Sequence, residues 1–480
     1  MRCLLLSAVV LLLLAPAAVM AQMMGPEMGM MGMGMPASPM DIDPIWSPDG
    51  KWIAFTRTTA TQGAVGPVEA GLISAEGGEV KLTKNLRPLC WTPDSAGIIC
   101  GLSAAAGQTS PYSGFWKMDA ARPNRITLII RAVDPQFAAY SPDGKKLLLL
   151  DLVGKDRHEI LVGNADATPA VFYSTRGSDK IINAGWADGS NAVWMVLEVP
   201  AKDALEPGAQ IPKEALKATQ MMGMGMMGPE MGMMGGVPGM MGPEMGMGMM
   251  MGAPAATSKR ILCVMPLDRS SLKKIGDDVE NASWNPKQPL LVLHRKVTTT
   301  APGGGGMPGG MPGMMPGGTP GMMGPEMGMM GMMGMGAATT TDEFMAFRKP
   351  DEPATAEERI GNFTMGGMVW SSDGKMVAGA SAAEKRVFAI KAPGGLVYEI
   401  SQDLDDNIKA PGHTAVAWSP DGKKAVFPAM TQRSENNEQF VIRGLVIRDM
   451  ESAEAKQLTE HKTKAMMGGM MGMPGMMGMP

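Results

Sequence analysis

The sequence predicts an all-β protein, a β-propeller of seven four-stranded blades. Three observations lead to this prediction. A turn motif recurs seven times, short apolar stretches follow each copy, and the first copies are 45, 49 and 46 residues apart. Blades of propellers have four strands and repeat about every 40–50 residues. Seven blades fit the chain length better than six once its low-complexity tracts are removed, and six or eight blades are the open alternatives.

Each copy of the motif is an aromatic residue followed by a tight turn and an apolar strand. In the copy at 46–51, Trp-Ser-Pro-Asp-Gly-Lys, the Ser, Pro and Gly occupy positions that a type I turn prefers. The Gly can adopt the left-handed conformation that returns the chain into an antiparallel strand. We therefore expect hairpins whose second strands start at or near Lys51, Lys145, Lys375 and Lys423. The aromatic residues, which we expect in the core, are Trp46, Trp91, Tyr140, Trp186, Trp284, Trp370 and Trp418.

Two further strand-like stretches follow each hairpin and complete a four-stranded unit. In the first copy they are residues 72–74 and 81–83. The fifth copy is the weakest, with 344–347 and then only 359–360. The seventh has a stretch at 440–447 that we expect to be broken at Arg443-Gly444, because glycine weakens a strand interior.

The turn motif resembles the repeat of TolB-like propellers, a branch of the WD40-like family whose hallmark is aromatic-Ser-Pro-Asp-Gly-Lys. The copies at Trp46, Tyr140 and Trp418 match it fully, and the resemblance covers residues 41–460. It implies the propeller fold and says little about function. TolB itself has an α/β domain before its propeller, so its particular partners are not carried over.

Similar propellers accompany the hydrolase domains of prolyl oligopeptidases. This chain has no Gly-x-Ser-x-Gly elbow and no stretch left over for such a domain. A Ser-His-Asp arrangement assembled in space is an alternative that the sequence leaves open. We predict that the protein is not an enzyme.

Residues 1–21 have the pattern of a secretory signal peptide. Arg2 precedes an apolar run at 4–14, and small residues lead to a predicted cleavage after Ala21. The expected location is therefore periplasmic or secreted. An uncleaved anchor is the alternative, but the run is shorter than the ~20 residues of a spanning helix, and we expect no transmembrane segment after cleavage.

Charge and cysteine content limit the partners and the covalent framework. The net charge of −4, from 43 basic and 47 acidic residues, argues against nucleic-acid binding, and another extracytoplasmic protein is the expected kind of partner. The mature chain keeps Cys90, Cys100 and Cys263. A bridge between Cys90 and Cys100 is left open, whereas Cys263 is expected to be free.

Methionine is the unusual component, with 54 residues, 43 of which fall in four tracts. These tracts are otherwise mostly Gly and Pro, and they lack the aromatic and β-branched residues from which a core is built, so we expect them to be irregular. The predicted organisation is a tail at 22–40, a propeller at 41–460 interrupted by tracts 221–251 and 307–335, and a second methionine-rich tail at 461–480 that contains tract 466–480.

The tracts predict a soft-metal site. The phrase Met-Gly-Pro-Glu-Met-Gly-Met occurs four times, and closely spaced thioethers are soft, uncharged donors that suit Cu(I) or Ag(I). The tracts also resemble methionine-rich segments of extracytoplasmic copper-handling proteins. The predicted ligands follow the repeated Pro-Glu pairs: Met28, Met30, Met31, Met231, Met233, Met234, Met245, Met247, Met327, Met329 and Met330.

Other metal sites are less well supported. The four histidines, His158, His294, His413 and His461, are not at zinc-ligand spacing. The acidic run at 403–407 lacks the glycine and the terminal glutamate of a calcium loop. Cu(I) and Ag(I) are the only metals predicted.

Two functions stay open. One is a non-catalytic binding protein that takes up Cu(I) or Ag(I) through its tracts. The other is a TolB-like protein-interaction scaffold whose tracts are expansions tolerated in loops, a store of oxidisable methionine or an adaptable protein-binding surface. Strand parity predicts that all four tracts leave the same face, because they lie before a first strand, after a fourth strand or between second and third strands.

Overall fold

The computed structural model is a β-propeller of seven blades, which confirms the predicted fold class and settles the blade number. The structure describes residues 38–464, apart from 62–63, 104–110, 155–156, 176, 178, 201–209, 213–257, 301–338, 382, 402–414 and 437. The described strands form seven sheets, one for each blade, and each sheet is built from one continuous segment of the chain.

The strands of the first four blades follow in chain order. Blade 1 contains β1 Pro39–Trp46, β2 Trp52–Thr61, β3 Ala64–Ser74 and β4 Lys81–Lys84. Blade 2 contains β5 Arg87–Trp91, β6 Gly97–Leu102, β7 Gly114–Asp119 and β8 Ile126–Arg131. Blade 3 contains β9 Pro135–Tyr140, β10 Lys146–Gly154, β11 Arg157–Asn164 and β12 Ala170–Ser174. Blade 4 contains β13 Lys180–Ala187, β14 Ala192–Pro200, β15 Gln210–Pro212, β16 Ser258–Pro266 and β17 Ser271–Asp277.

The last three blades complete the ring. Blade 5 contains β18 Val279–Trp284, β19 Leu291–Thr300, β20 Thr339–Arg348 and β21 Glu358–Gly361. Blade 6 contains β22 Gly366–Trp370, β23 Met376–Ser381, β24 Arg386–Lys391 and β25 Leu396–Glu399. Blade 7 contains β26 Ala417–Trp418, β27 Lys424–Glu435, β28 Glu438–Asp449, β29 Ala455–Gln457 and β30 His461–Lys464.

The first strand of each blade is the innermost one, because the first strands of neighbouring blades contact one another around the ring. Successive strands then pair antiparallel outward. The hydrophobic cores lie between blades, where the facing sheets pack together. One such core, for example, joins Trp46 and Phe55 of blade 1 to Ala417 and Leu445 of blade 7.

The structure corrects several predicted boundaries. Strands extend from Pro39 to Lys464, so the sheet begins before residue 41 and includes the first residues of the predicted tail at 461–480. The short strand β15, which the sequence analysis missed, pairs with β17 at the outer edge of blade 4. The second strands begin one residue after the four predicted lysines, at Trp52, Lys146, Met376 and Lys424.

The predicted break at Arg443-Gly444 is wrong, because β28 runs through it without interruption. The outer strand of blade 7 bulges between β29 and β30 and approaches the backbone of β28 closely there. A Cβ atom added to Gly444 would lie 1.9 Å from the carbonyl oxygen of Thr459. This glycine therefore permits a close contact between strands.

The turns have the predicted geometry. In the first copy, the Gly50 N–H donates to the Ser47 carbonyl oxygen at 2.9 Å, and Gly50 has a φ of 75°. The carboxylate of Asp49 accepts hydrogen bonds from Ser47 Oγ at 2.7 Å and from the Lys51 N–H at 3.1 Å. The same bonds recur in the turns that begin at Ser141, Ser371 and Ser419.

Most of the motif tryptophans are buried as predicted, and four of them bind the preceding blade through the indole N–H. Each donates to the carbonyl oxygen of the residue just before the aromatic residue of that blade, as Trp91 does to Ile45. The donors are Trp91, Trp186, Trp370 and Trp418, at Nε1–O distances of 2.9–3.1 Å. Trp46 of blade 1 differs, because its buried Nε1 has no partner among the described residues.

The three cysteines in the described part of the chain, Cys90, Cys100 and Cys263, are buried and free. Cys90 lies opposite Ile99 in the β5–β6 pair, and both face the core shared with blade 3. Cys100 follows Ile99 and therefore points to the other face of blade 2, into a core that contains Ile45 and Trp91. The bridge left open by the sequence is excluded by this geometry, since the two side chains lie on opposite faces of one sheet.

The indole hydrogen bond can be measured by comparing two tryptophans. Trp370→Phe removes a buried bond to the Ser283 carbonyl oxygen, whereas Trp46→Phe removes an N–H that has no described partner. We expect Trp370→Phe to lower the free energy of unfolding by about 1 kcal/mol more than Trp46→Phe. Urea denaturation measures both. Equal losses would show that the indole bonds do not hold neighbouring blades together.

Candidate functional site

Strand ends next to all four tracts lie on one face of the propeller, but strand parity does not hold for both ends of tract 221–251. This tract lies between β15 and β16. Pro212, at the end of β15, pairs with Ser271 at the start of β17, whereas Ser258, at the start of β16, pairs with Pro200 at the end of β14. Tract 307–335 lies between β19 and β20, whose ends pair at Thr300 and Thr339. Because strands alternate in direction, Pro212 lies on the side of the turns, and Ser258, Thr300 and Thr339 lie on the same side as the start of β1 and the end of β30. We call this side the tract face, and the Ser-Pro-Asp-Gly turns lie on the opposite side.

The predicted ligands lie outside the described residues, so they stay a prediction. They are Met28, Met30, Met31, Met231, Met233, Met234, Met245, Met247, Met327, Met329 and Met330. His413 and the acidic run at 403–407 also lie outside the described part of the chain. What the structure places is the scaffold from which the tracts begin.

Ion pairs surround the strand ends of blades 4 and 5 at the tract face. In blade 4, Arg260 Nε lies 3.1 Å from a Glu198 oxygen, and the same guanidinium contacts Glu280 of blade 5. In blade 5, Lys296 lies 2.7 Å from Glu343. These pairs tie adjacent blades and strands together at the base of the two internal tracts.

The two tails meet at the tract face. Thr463 Oγ1 donates to Ser38 Oγ at 2.6 Å, so the first described residue lies beside the last strand. His461 Nε2 lies 2.9 Å from Asp41 Oδ2, and Arg57 reaches both oxygens of the same carboxylate at 2.7 and 3.0 Å. Tracts 23–40 and 466–480 therefore adjoin the propeller at neighbouring points.

Asp41 is the electrostatic centre of this contact and is fully buried. Burial alone would raise the pKa of Asp41, but hydrogen bonds from His461, Arg57 and Thr459 outweigh burial and lower the pKa. The Asp-His contact is thus part of a polar network that joins blades 7 and 1, in which Asp41 also binds Arg57.

The other described histidines lie apart from this contact. His158 is in blade 3, where its Nδ1 accepts a hydrogen bond from the Ile181 N–H at 3.1 Å. His294 is in blade 5, and its buried Nε2 has no hydrogen-bond partner in the described part of the chain. Over the residues that the structure describes, no three His, Cys, Asp or Glu side chains are grouped to hold a metal ion.

Polar side chains also lie on the innermost strands. Asp43 of blade 1 has a pKa raised to about 6, because burial outweighs the attraction of Arg87 in blade 2. Across the ring, Asn183 Nδ2 donates to Asn281 Oδ1 at 2.7 Å and links blades 4 and 5. The side-chain nitrogen of Asn281, Nδ2, is buried and has no hydrogen-bond partner among the described residues.

No protein-family model and no curated protein matches the chain. Solved structures similar to it are propellers. The β-propeller domain of the Trilobed protease from Pyrococcus furiosus is 12% identical with a TM-score of 0.49, over 88% of this chain and 96% of that one. TolB from Acinetobacter baumannii is 11% identical with a TM-score of 0.38, over 87% and 80%.

A structure of two prolyl endopeptidases is also similar, at 11% identity and a TM-score of 0.44. The match covers 86% of this chain and 47% of that one, so the chain spans about half the length of that enzyme. At these identities the likeness concerns the fold alone. Among the described residues, no helix has the length and apolar character to cross a membrane.

The Asp41 network makes stability depend on pH. Asp41→Asn leaves the guanidinium of Arg57, only 14% exposed, without its counter-charge, and we expect a loss of about 3 kcal/mol in the free energy of unfolding at pH 7. Because folding lowers the pKa of Asp41, its contribution is complete above pH ~4 and is lost as the pH falls through the folded-state pKa. Denaturant titrations from pH 7 to 3 measure this difference.

The matched control is Asp342→Asn, which removes an exposed carboxylate paired with Arg359. This variant should unfold like the native protein at every pH, since exposed pairs contribute little. A difference between native and Asp41→Asn protein that stays constant down to pH 3 would contradict the assignment.

Proposed function

We propose that the protein is a non-catalytic, extracytoplasmic propeller that binds Cu(I) or Ag(I) through its methionine tracts. The observation that supports this proposal is that at least one strand end next to each tract lies on the tract face. These residues are Pro39, Ser258, Thr300, Thr339 and Lys464, whereas Pro212 before tract 221–251 lies on the side of the turns. The extracytoplasmic location follows from the signal peptide predicted at residues 1–21.

A common face matters because a single thioether binds weakly. Forty-three thioethers belong to the four tracts, and each tract is joined to the tract face by at least one strand end. Donors that are tethered near each other bind an ion in several places at once, which strengthens binding without any single strong ligand. The soft sulfur atoms would select Cu(I) and Ag(I) over Zn(II).

A protein-interaction scaffold is the second candidate, and the outer strand of blade 6 favours it. Leu396, Val397 and Tyr398 of β25 are 59%, 40% and 44% exposed, and no described strand pairs with their outer edge. The outer strands of blades 1 and 5 carry charged residues in sequence, KLTK and ERIG, which discourage pairing. The part of β25 from Leu396 to Tyr398 carries no charge, and an edge of this kind can accept an extended segment of another protein.

The metal-binding proposal predicts the result of a competition against a Cu(I) chelator. Replacing all four tracts by Gly/Ser linkers of equal length should remove most of the bound Cu(I), since the principal donors are removed while the propeller stays. Binding to the intact protein should vary little between pH about 5 and 8, because thioethers do not titrate in this range. Excess Zn(II) should not displace the ion.

A matched variant keeps every thioether and exchanges Glu27, Glu230, Glu244 and Glu326 for Gln. It should bind as many Cu(I) ions as the intact protein, because the carboxylates only favour the approach of a cation. Equal Cu(I) stoichiometry for the intact and the Gly/Ser proteins would reject the proposal, and the scaffold function would take its place.

A further inference from the structure

A row of three polar or sulfur-containing side chains crosses blade 5. His294 of β19 is the register partner of Asn281 in β18 and of Met345 in β20. Register partners in antiparallel strands place their side chains on the same face of the sheet. Val292 and Phe347 lie on this face too and pack in the core shared with blade 6. His294 and Met345 therefore face the interface between blades 5 and 6, while Oδ1 of Asn281 is bonded to Asn183 of blade 4.

Methionines occupy the same interface. Met345 packs in one buried cluster with Met365 and Met368, and these side chains are 0%, 1% and 0% exposed. Met365 directly precedes β22, and Met368 lies where the pairing of β22 with β23 shifts register between Gly366 and Val369. The sulfur atoms thus come from blade 5 and from the innermost strand of blade 6.

Two polar atoms in the row are buried without partners. His294 Nε2 and Asn281 Nδ2 make no hydrogen bond to any described residue. Burial lowers the pKa of His294, and nearby Lys296 and Arg260 act in the same direction against the attraction of Glu343. The imidazole is therefore neutral at pH 7, which is the form in which a ring nitrogen binds a metal.

We propose that His294 Nε2 and the thioether of Met345, with the thioether of Met365 or Met368 as a third donor, form a site for one Cu(I) or Ag(I) ion between blades 5 and 6. Imidazole and thioether are donors that suit Cu(I), and the carboxylate of Glu343, two residues before Met345 on the same face, is paired with Lys296 at 2.7 Å. The inference deepens the proposed function by adding a site in the folded propeller, and it uses none of the tract residues.

The site lies close to one tract in the chain. Six residues after His294, β19 ends at Thr300, where tract 307–335 leaves the blade, and β20 returns from that tract through Thr339 to Met345. An ion held loosely by the tract thioethers would therefore meet a site with fixed geometry at the base of the same hairpin. The folded site would hold the ion that the tract captures.

The intact protein tests the site through its few histidines. The sequence contains four, so a protein labelled with ¹⁵N-histidine gives four pairs of imidazole signals, one Nδ1 and one Nε2 each, and His294→Gln identifies the pair of His294. Saturation with Ag(I) should move the Nε2 resonance of His294 and leave that of His158 in place. An unchanged His294 resonance at saturation would overturn the proposal and would fit a water molecule between His294 and Asn281.

Stoichiometry in the Gly/Ser variant provides the second test. With the tracts replaced, the protein should bind one Ag(I) per chain, and His294→Gln should abolish this binding. Met345→Leu, which keeps the volume of the side chain, should weaken it at least tenfold. Met118→Leu is the matched control, because Met118 is equally buried but lies in another core, and it should bind like its parent.

The outcomes separate the site from the tract function. If the Gly/Ser variant binds one ion that is lost with His294→Gln while the tracts add none, the site stands and the tract proposal fails. If the intact protein binds Ag(I) and the Gly/Ser variant binds none, the tract proposal stands and the site fails. Should His294→Gln not fold, Met345→Leu and the imidazole resonance of the intact protein decide the result.

Discussion

The ring depends on the contact between blades 7 and 1. Each blade buries both faces only if it has a neighbour on either side, so an open ring would expose the core residues of two sheets to water. In the described structure no blade contains strands from both ends of the chain, so blades 7 and 1 touch without sharing a strand. Its apolar part is the cluster of Trp46, Phe55, Ala417 and Leu445, and its polar part is the Asp41 network.

This contact differs chemically from other contacts between blades. At four of those, a tryptophan indole donates to a backbone carbonyl of the preceding blade. At the 7–1 contact the indole of Trp46 has no described acceptor, and a buried carboxylate bonded to Arg57 and His461 is present instead. The neutral indole bond of four other contacts is thus absent at the 7–1 contact, where charged groups link the two blades instead.

The sequence predicts what is local in this structure. Turn, aromatic residue and apolar strand lie within a few residues of each other, so the blades follow from the motif. Strand parity predicts the tract face except at β15, a short strand that brings the chain to the side of the turns before tract 221–251. Contacts between distant residues were not predictable. Asp41 and His461 are 420 residues apart, and neither sits in a motif. The side of the sheet to which Cys90 and Cys100 each point depends on a bulge between Pro88 and Cys90. His294 acquires its neighbours in the adjacent strands only through strand register.

The hydrogen bond between Ser38 and Thr463 has a consequence for the order of the blades. Because the two ends of the propeller lie side by side and exchange no strand, a short linker between them would close the chain without moving any sheet. The chain could then be opened at another connection between blades, such as the one between β12 and β13, and the same ring would form. The order in which the blades occur along the gene is therefore independent of their arrangement in space, and a circularly permuted chain would keep every contact described above except the covalent link at the new opening.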